Sequence, residues 1–565
     1  MSKIYGFVRD SLTNFSEEMS MVYSPFTLGV FILTIVSLKI YQMLRLNKKL
    51  PPGPTGYPLV GMLPFIERDF HLELFDFSKS FGKIFSMKMG NQLIVVLSDH
   101  KLIKAAFGKS DYSFRPKTEF GNILGGYGKF KTHTNETFAK AGLTLGIINA
   151  EGQLWKNNRR FLHQQKFGMK HLGMGSEIME SRVMQEVYYL LNSIIDKKTN
   201  PLNPAPIINC AISNVICSII MSTRFHHDDE KFKRFMHLFD EGFRLFQLTG
   251  AMVFIPALKH LPGTSKALKT LKENRDEMLE FVRFIVNEHK GNLDSDNPKD
   301  LVDSYLIEME SAKKAGNLDQ VFDKDPERQL EQIILDLFSA GVETLKTTLQ
   351  WAILFMIHNP EVQKRVQEEI GSVVDGDRLP CMDDMTQLPY TRATIYEVMR
   401  RVTVVPMGTT HATERTVELE GHIIPKDTHV IPLLHGVHMD PDVWEDPEKF
   451  SPERFLTEEG KLYKPKHFMP FGAGQRMCLG DKIAEMELQL FFTSLMHVFD
   501  IENPGTDLPS LQGYTGVTVS PKDFEVNFIP RNADALNASN SHQRVQACQH
   551  VKLFGSSKES LVIGA

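Results

Sequence analysis

Cysteine is scarce in this 565-residue sequence, which contains only five cysteines. They are scattered, with no C-x-x-C pair and no zinc-type histidine spacing, so neither a disulfide scaffold nor a zinc site is expected. So few and scattered cysteines favour a reducing compartment. An odd number also leaves at least one free thiol, which raises the question of which cysteine has a chemical role. The five are Cys210, Cys217, Cys381, Cys478 and Cys548.

A strong charge bias is also absent, because 64 basic residues face 69 acidic residues and the formal net charge is -5. A nucleic-acid-binding domain is normally strongly basic, so no nucleic-acid partner is expected. Residues 55–530 also lack linkers, low-complexity stretches and internal repeats. We therefore predict one large domain at 55–530.

An uncharged apolar run, Phe26 to Leu38, lies near the N-terminus. It reaches bilayer-spanning length over residues 22–46 if Lys39 snorkels toward the lipid headgroups. A cleaved signal peptide is the alternative, but no small-residue cleavage site follows the run. Basic residues at the C-terminal end of the segment place the main body in the cytosol. The sequence thus predicts a lumenal N-terminus at 1–21, a transmembrane signal anchor at 22–46 and a proline-rich spacer at 47–54.

Helical periodicity dominates the large domain. It predicts helices at Ser176 to Asp196, Phe232 to Leu248, Ser265 to Lys290, Pro326 to His358, Pro360 to Val373 and Tyr390 to Arg401. Alternating residues predict short strands at Ile94 to Leu97, Val417 to Ile424 and Val430 to Leu434. The fold class is therefore mainly α with small β-sheets. The tail at 531–565 is rich in Asn, Ser, Gln and His without periodicity and is predicted to be disordered.

The most specific motif is FGAGQRMCLG, Phe471 to Gly480, which has the pattern F-x-x-G-x-R-x-C-x-G. Its glycines allow a tight turn beside a flat ligand, and Arg476 can pair with a carboxylate. Cys478 precedes a helix predicted to begin near Leu479, where the helix dipole and backbone amides favour a thiolate. An iron ligand needs this thiolate, which pushes electron density onto the metal and favours O–O cleavage. A buried, inert cysteine is the alternative.

A second motif, AGVET, lies in the middle of the predicted helix Pro326 to His358. Gly341 costs a helix interior about 1 kcal/mol relative to alanine, so either a neighbour approaches the backbone or the helix is locally opened. Glu343 and Thr344 place an acid and an alcohol there, which suits proton delivery during oxygen activation. Ordinary helix polarity is the alternative for this motif.

Two further groups of residues complete the candidate site. Glu397 and Arg400 lie three apart on one helix face, and Arg454 of the sequence PERF can complete a Glu/Arg/Arg network that braces the cysteine loop. We assign these three a structural role. A dianionic porphyrin also needs partners for its carboxylates, and the candidates are Trp155, Arg159, His411 and Arg476.

In order and direction, these motifs resemble the microsomal cytochrome P450 family over residues 22–530. The resemblance implies a haem b (iron protoporphyrin IX) between the long central helix and the cysteine helix, with Cys478 as axial ligand and Phe471 beside the haem. It implies electrons from NADPH through a membrane-bound reductase, with no direct NADPH binding. It also implies the endoplasmic reticulum membrane, with the catalytic domain in the cytosol; a mitochondrial location is the alternative.

Three segments resemble the arthropod ecdysteroid 26-hydroxylase group more closely: Ile212 to Phe225, Leu337 to Trp351 and His429 to Phe450. That group oxidises the terminal carbon of the steroid side chain, which inactivates the moulting hormone. A related group that hydroxylates the adjacent carbon during hormone synthesis, and a general xenobiotic oxidase, remain alternatives. By resemblance, residues 243–254, Leu337, Ala340 and residues 405–409 line the pocket.

Two departures from the family pattern are present. Leu345 replaces the second threonine that usually follows the acid, but Thr344 retains the position of the proton-delivery alcohol. Lys129 to Leu145 form a polar insertion that is either a long surface loop or a retained intron in the gene model. If translated, the insertion lies where the resemblance places the cap of the substrate pocket.

Two functions of other classes remain open. A haem-thiolate isomerase or dehydratase would need neither reductase nor dioxygen, and it would have no use for the pair Glu343 and Thr344. A steroid-binding protein without catalysis would have no use for a thiolate. Loss of turnover without NADPH separates the monooxygenase from the isomerase or dehydratase. The red-shifted Soret band of the reduced protein under carbon monoxide, and its absence after Cys478→Ala, tests the binding protein.

Overall fold

The structure is a computed structural model of the protein. It describes residues 30, 33–34, 49–67, 69–117, 145–164, 177–197, 201–322, 325–531 and 552–554. The segment at 1–21 that was predicted to be lumenal lies outside this range, as do most of the predicted anchor at 22–46, the insertion apart from Leu145, and most of the tail. Among the described residues, no helix combines the length and apolar character that a membrane crossing requires.

Helices make up most of the described chain. Their ends follow local capping chemistry: Asp99 accepts hydrogen bonds from two backbone amides at the start of α2, and Asp325 accepts one from Arg328 at the start of α10. The helices are α1 (Phe70–Phe81), α2 (His100–Phe107), α3 (Gly152–Gln164), α4 (Glu177–Asp196), α5 (Ala205–Met221), α6 (Glu230–Thr249), α7 (Pro262–Gly291), α8 (Leu301–Lys314), α9 (Leu318–Val321), α10 (Pro326–His358), α11 (Pro360–Val373), α12 (Pro389–Val402), α13 (Leu434–His438) and α14 (Asp481–Val498).

The strands are short and belong to small sheets. They are β1 (Ile84–Met89), β2 (Gln92–Leu97), β3 (Thr223–Phe225), β4 (His411–Ala412), β5 (Val417–Leu419), β6 (His422–Ile424), β7 (His429–Pro432), β8 (Phe499–Glu502), β9 (Gly513–Thr515), β10 (Val519–Pro521), β11 (Asn527–Pro530) and β12 (Lys552–Phe554). One sheet has four strands in the order β1-β2-β7-β4, and only its β2–β7 pairing is parallel. The pairs β5–β6, β8–β11 and β9–β10 are antiparallel, and β3–β12 is parallel.

Helix α10 lies in the middle of the core. It packs against α5, α7, α12, α14 and β10. The indole of Trp351 fixes β10 to this helix, because its Nε1 donates to the carbonyl of Val519 at 2.7 Å. Burial on several faces explains why α10 is apolar over most of its length.

The helix-rich architecture with small sheets in one large domain agrees with the fold class expected from the sequence. The predicted bounds of α10 and α11 match the structure. The strand predicted to end at Leu434 was wrong at that end, because β7 stops at Pro432 and Leu434 begins α13. The short strand β12 also differs from the prediction of a tail without regular structure.

Candidate functional site

The loop before α14 carries Cys478 and is folded back on itself. The backbone N–H of Cys478 donates to the carbonyl of Phe471 at 3.0 Å. Gly474 has φ of +78°, and a Cβ added there would lie 2.1 Å from the carbonyl oxygen of Phe107. Glycine is therefore required at this point, because the end of α2 contacts the loop backbone. The helix itself begins at Asp481, two residues later than predicted.

The Cys478 side chain is solvent-exposed, and the glycines beside it leave room for a ligand. A Cβ added at Gly472 or Gly480 would meet no atom within 4 Å. Desolvation nevertheless raises the pKa of the Cys478 thiol, and the charge of Asp481 raises it further, although the Gly480 amide and Arg159 act in the opposite direction. The Gly480 amide at the helix start thus acts in the direction expected from the sequence, although desolvation has the larger effect on the pKa of the thiol.

Helix α3 places Trp155 and Arg159 next to this loop. The guanidinium carbon of Arg476 lies 4.0 Å from the centroid of the buried Trp155 ring. Arg476 also donates to the carbonyls of Ser113 (2.8 Å), Ala150 (2.5 Å) and Ile147 (3.3 Å). Arg159 donates to the carbonyl of Met477 at 2.8 Å, one residue before the cysteine.

His411 lies in the same cluster as an uncharged ring. Its Nδ1 is 2.7 Å from the carbonyl of Tyr112, and its ring stacks on Phe107 with centroids 3.7 Å apart. Burial, then the charge of Arg115, lower its pKa to about 3. Because a carbonyl only accepts, Nδ1 carries the proton in the neutral ring. His411 therefore supplies packing and shape here rather than positive charge.

Sequence reasoning did not identify Arg115, which is buried in this cluster. Its guanidinium donates to the carbonyls of Ile148 (2.9 Å) and Thr410 (2.8 Å). Arg115 precedes a proline in a loop with no periodicity, so nothing in the sequence marks it as a site residue. It brings a third arginine to the site.

The three arginines concentrate positive charge in a desolvated place. Burial lowers the pKa of Arg476 to about 8 and that of Arg115 to about 10, and it also lowers that of Arg159. Repulsion between them adds to the effect, while Glu151 partly offsets it for Arg115 and Arg476. Such a cluster suits an anionic group. Together with the exposed thiol and the space beside two glycines, it fits the two carboxylates and flat body of the expected haem.

Helix α10 contributes the AGVET motif. A Cβ added at Gly341 would lie 2.7 Å from Cδ1 of Ile216, so the close neighbour is a side chain of α5. The helix is continuous through this point. The hydroxyl of Thr344 donates to the carbonyl of Ala340 at 2.8 Å, and Thr348 repeats this contact one turn later with the carbonyl of Thr344.

Glu343 is buried and has defined partners. Its carboxylate accepts a hydrogen bond of 2.8 Å from the hydroxyl of Thr518, in the turn between β9 and β10. Its other oxygen lies 2.8 Å from the ammonium of Lys346. Lys346 and Thr518 were not identified from the sequence. Lys346 carries the signal of i,i+3 spacing from Glu343, whereas Thr518 lies 175 residues away and carries none.

The structure brings Glu397, Arg400 and Arg454 together in the interior. Arg400 contacts both carboxylate oxygens of Glu397, at 2.7 and 2.8 Å, and neither side chain is exposed. Arg454 approaches the same carboxylate at 3.4 Å. The two arginines otherwise donate to backbone carbonyls between residues 438 and 449. The network thus fixes the segment before PERF rather than contacting the cysteine loop itself.

Known proteins match the chain over most of its length. A family model described as "Cytochrome P450" matches residues 51–528. The chain is 44% identical over 533 residues to cytochrome P450 18a1 of Drosophila melanogaster, with 94% of this chain and 95% of that relative covered. It is 35% identical over 510 residues to cytochrome P450 2C3 of Oryctolagus cuniculus, covering 89% and 99%. It is 36% identical over 509 residues to cytochrome P450 2U1 of Mus musculus, covering 85% and 91%.

Proposed function

Because this chain belongs to the cytochrome P450 family, we propose that it hydroxylates the side chain of a steroid, specifically an ecdysteroid. Members of the family are monooxygenases with haem b, and they receive electrons from NAD(P)H through a reductase. In the overall reaction, a C–H bond, O2, NADPH and one proton give an alcohol, water and NADP+. The haem supplies the activation of dioxygen, and the protein residues supply binding, orientation and protons.

The observation that carries the residue assignment is the position of Cys478 beside the arginine cluster. We assign the Cys478 sulfur as the protein ligand that would hold the haem iron, and Phe471 would lie beside the haem. Arg115, Arg159 and Arg476 hold the haem carboxylates, because three desolvated guanidinium groups need anionic partners. Trp155 and His411 shape this end of the site, through the Arg476 stack on Trp155 and the Phe107 stack on His411.

Thr344 and Glu343 are proposed to deliver protons during oxygen activation. The Thr344 hydroxyl lies on α10 and donates to the carbonyl of Ala340, a contact that it can exchange for a proton acceptor of a bound ligand. Glu343 is the neighbouring acid, buried and held by two partners. An acid that exchanges protons with solvent and an alcohol that passes them on form a relay.

The proposed substrate is an ecdysteroid, oxidised at the terminal carbon of its side chain. Identity of 44% to an insect relative over almost the whole chain supports this choice, as do the three segments that resemble the ecdysteroid 26-hydroxylase group. The alternatives are the hydroxylase of hormone synthesis, which oxidises the adjacent side-chain carbon, and a general xenobiotic oxidase, which acts on other substrates.

The proposed setting is the cytosolic face of the endoplasmic reticulum, with NADPH–cytochrome P450 reductase as the redox partner. The apolar segment at 22–46, followed by basic residues and the proline-rich spacer, supports a membrane anchor. The similarity to the 2C3 and 2U1 enzymes over 85% or more of this chain also supports the microsomal type.

The test is incubation of the full-length holoenzyme with reductase, NADPH and 20-hydroxyecdysone, followed by mass spectrometry to locate the added oxygen. We expect one oxygen on the terminal side-chain carbon, then further oxidation to the acid. Oxygen on the adjacent carbon would assign the hormone-synthesis reaction. Turnover that persists without NADPH would contradict a monooxygenase and favour the isomerase or dehydratase.

A further inference from the structure

Lys346 lies where α6 meets α10, between two carboxylates from different helices. Its ammonium is 2.8 Å from the carboxylate of Glu343 and 2.7 Å from that of Asp240 in α6. The side chains of Lys346 and Glu343 are 14% and 11% exposed, whereas that of Asp240 is 47% exposed. The three charges therefore run from a half-exposed acid on α6 to a buried acid on α10.

The charge of Lys346 is held in place by both acids. Burial alone would lower the pKa of its ammonium, but the charges of Glu343 and Asp240 outweigh burial and raise the pKa. A desolvated cation between two anions is costly to leave with one partner missing. Movement of Asp240 would therefore change the environment of Lys346 and, through it, that of Glu343.

A small cavity lies beside this ion triad. The space open to the centre of a water molecule is about 10 Å³, close to what one water requires. Its walls include Asn209 and Ser213 of α5 as well as the three charged residues. Within the described part of the chain, Asn209 Oδ1 and Ser213 Oγ are buried without a hydrogen-bond partner. Both groups line the same cavity as the ion triad, so α5 presents polar atoms to this space.

Apolar contacts also join α6 to α10 at the wall of this cavity. Phe235 and Phe239 of α6 lie with ring centroids 4.9 and 4.8 Å from Phe338 of α10. The Asp240–Lys346 pair adds a charged contact between the same two helices, and it lies at the level of Glu343 because Lys346 contacts both acids.

We propose that Lys346 is a positioning residue for Glu343 and that, through Asp240, it couples the position of α6 to the acid of the proton relay. The inference rests on the proposed role of Glu343. With α6 in the present position, Lys346 and Thr518 fix the Glu343 carboxylate on α10. When Asp240 moves away with α6, Lys346 loses one anion, and the orientation of Glu343 changes with it.

The test compares full-length holoenzymes in the assay described above, with the reductase, NADPH and 20-hydroxyecdysone. Lys346→Met removes the ammonium and keeps an unbranched stem, Lys346→Arg keeps the charge, and Asp240→Asn removes only the outer anion. The control is Lys290→Met, because Lys290 of α7 pairs with Glu327 at 2.8 Å near the start of the same helix α10. Glu343→Gln is the reference for loss of the acid itself.

Two quantities are measured for each variant. The first is hydroxylated product per NADPH, together with hydrogen peroxide, since O2, NADPH and a proton give H2O2 and NADP+ when hydroxylation fails. The second is hydrogen exchange of backbone amides in residues 230–249, which reports on α6 without any turnover.

We expect Lys346→Met to lower product per NADPH by about threefold or more, the size expected for loss of one partly buried ion pair. Hydrogen peroxide should rise in proportion, and exchange in α6 should increase. Asp240→Asn should change product per NADPH and amide exchange in α6 in the same directions, but by less. Lys346→Arg should keep most of the wild-type yield of product per NADPH. Lys290→Met should change neither the yield nor the exchange. If Lys346→Met incorporates no haem, Asp240→Asn carries the test alone.

The inference is overturned if Lys346→Met and Asp240→Asn keep wild-type coupling while Glu343→Gln loses it. It is overturned equally if exchange in α6 stays unchanged in both variants. If Glu343→Gln keeps wild-type coupling, the proposed role of Glu343 fails instead. In that case, increased amide exchange in α6 would support only a structural contact between Lys346 and α6, with no role in proton delivery.

Discussion

The guanidinium of Arg476 stacks on the indole of Trp155 at 4.0 Å, while its nitrogens donate to three backbone carbonyls. One arginine thus connects the cysteine loop, helix α3 and the backbone at residues 113, 147 and 150. Every one of these partners leaves its charge unneutralised, and burial with repulsion from Arg115 lowers its pKa to about 8. We expect a carboxylate of a bound ligand to neutralise the charge of the Arg476 guanidinium.

Arg476→Ala is therefore expected to reduce the haem content of the purified protein strongly. Arg476→Lys should rescue little, because an ammonium cannot make the planar stack and the fork of hydrogen bonds together. Haem per polypeptide is measured by absorbance after extraction. The control is Arg415→Ala, whose 73% exposed side chain pairs with Asp111 nearby. Full haem content in Arg476→Ala would contradict the assignment.

Gly474 and Gly472 offer a matched pair of substitutions, because both have positive φ, +78° and +74°. Only at Gly474 would a Cβ meet another atom, 2.1 Å from the carbonyl of Phe107. Gly472→Ala should cost about 1 to 2 kcal/mol from backbone conformation alone. Gly474→Ala should cost more and displace the cysteine loop, which thermal unfolding and the haem absorption spectrum would show. Equal effects of the two would be evidence against the contact with α2.

Thr344→Ala should lower hydroxylated product per NADPH by about tenfold or more, since general acid–base steps contribute at least this much. Haem content and substrate binding should remain. The control is Thr348→Ala, because Thr348 makes the same 2.8 Å contact with a carbonyl one turn further along α10. Equal loss in both variants would point to helix geometry rather than proton delivery.

His289 should make stability depend on pH at alkaline values. Burial lowers its pKa, but the hydrogen bond and charge of Asp300 at 2.8 Å outweigh this and raise it to about 9. A raised pKa gives stability that is complete below the unfolded value of about 6.5 and is lost as pH rises through about 9. The side chain is 14% exposed, so the shift corresponds to up to about 3 kcal/mol.

The measurement is the unfolding temperature of wild type and His289→Gln between pH 6 and pH 10. The difference between them should shrink as the pH rises through about 9. A constant difference across this range would show that the imidazolium does not contribute. Within the cluster of His289, Asp300 and Asp303, the contacts also explain the grouping without a metal, because Asp300 caps α8.

The long helices were predictable where local chemistry marks their ends. Helix α10 begins after Asp325 at Pro326, and α11 begins at Pro360 after Asn359, so both bounds followed from the sequence. Helix α5 was not predicted as a helix, because it is buried on nearly all faces and shows little amphipathic period.

The residues of the candidate site also fall into two groups: those that lie together in the sequence and those that only the tertiary fold brings together. Cys478, Arg476 and the glycines lie within one contiguous motif, so their grouping was visible in the sequence. Arg115 and Asp240 reach the site only through the tertiary fold: Asp240 lies 106 residues before Lys346, and Arg115 meets the carbonyl of Thr410 295 residues away. The net effect on the Cys478 thiol was also beyond the sequence, because the desolvation that opposes the helix start depends on the packed structure.

The most direct test of the central claim is the carbon monoxide difference spectrum of the reduced protein with and without Cys478. Wild type should show the strongly red-shifted Soret band of a thiolate ligand. In Cys478→Ala this band should be absent, while Cys217→Ala, which removes a buried cysteine of α5, should keep it. A Cys478→Ala protein that retains the band would contradict the account.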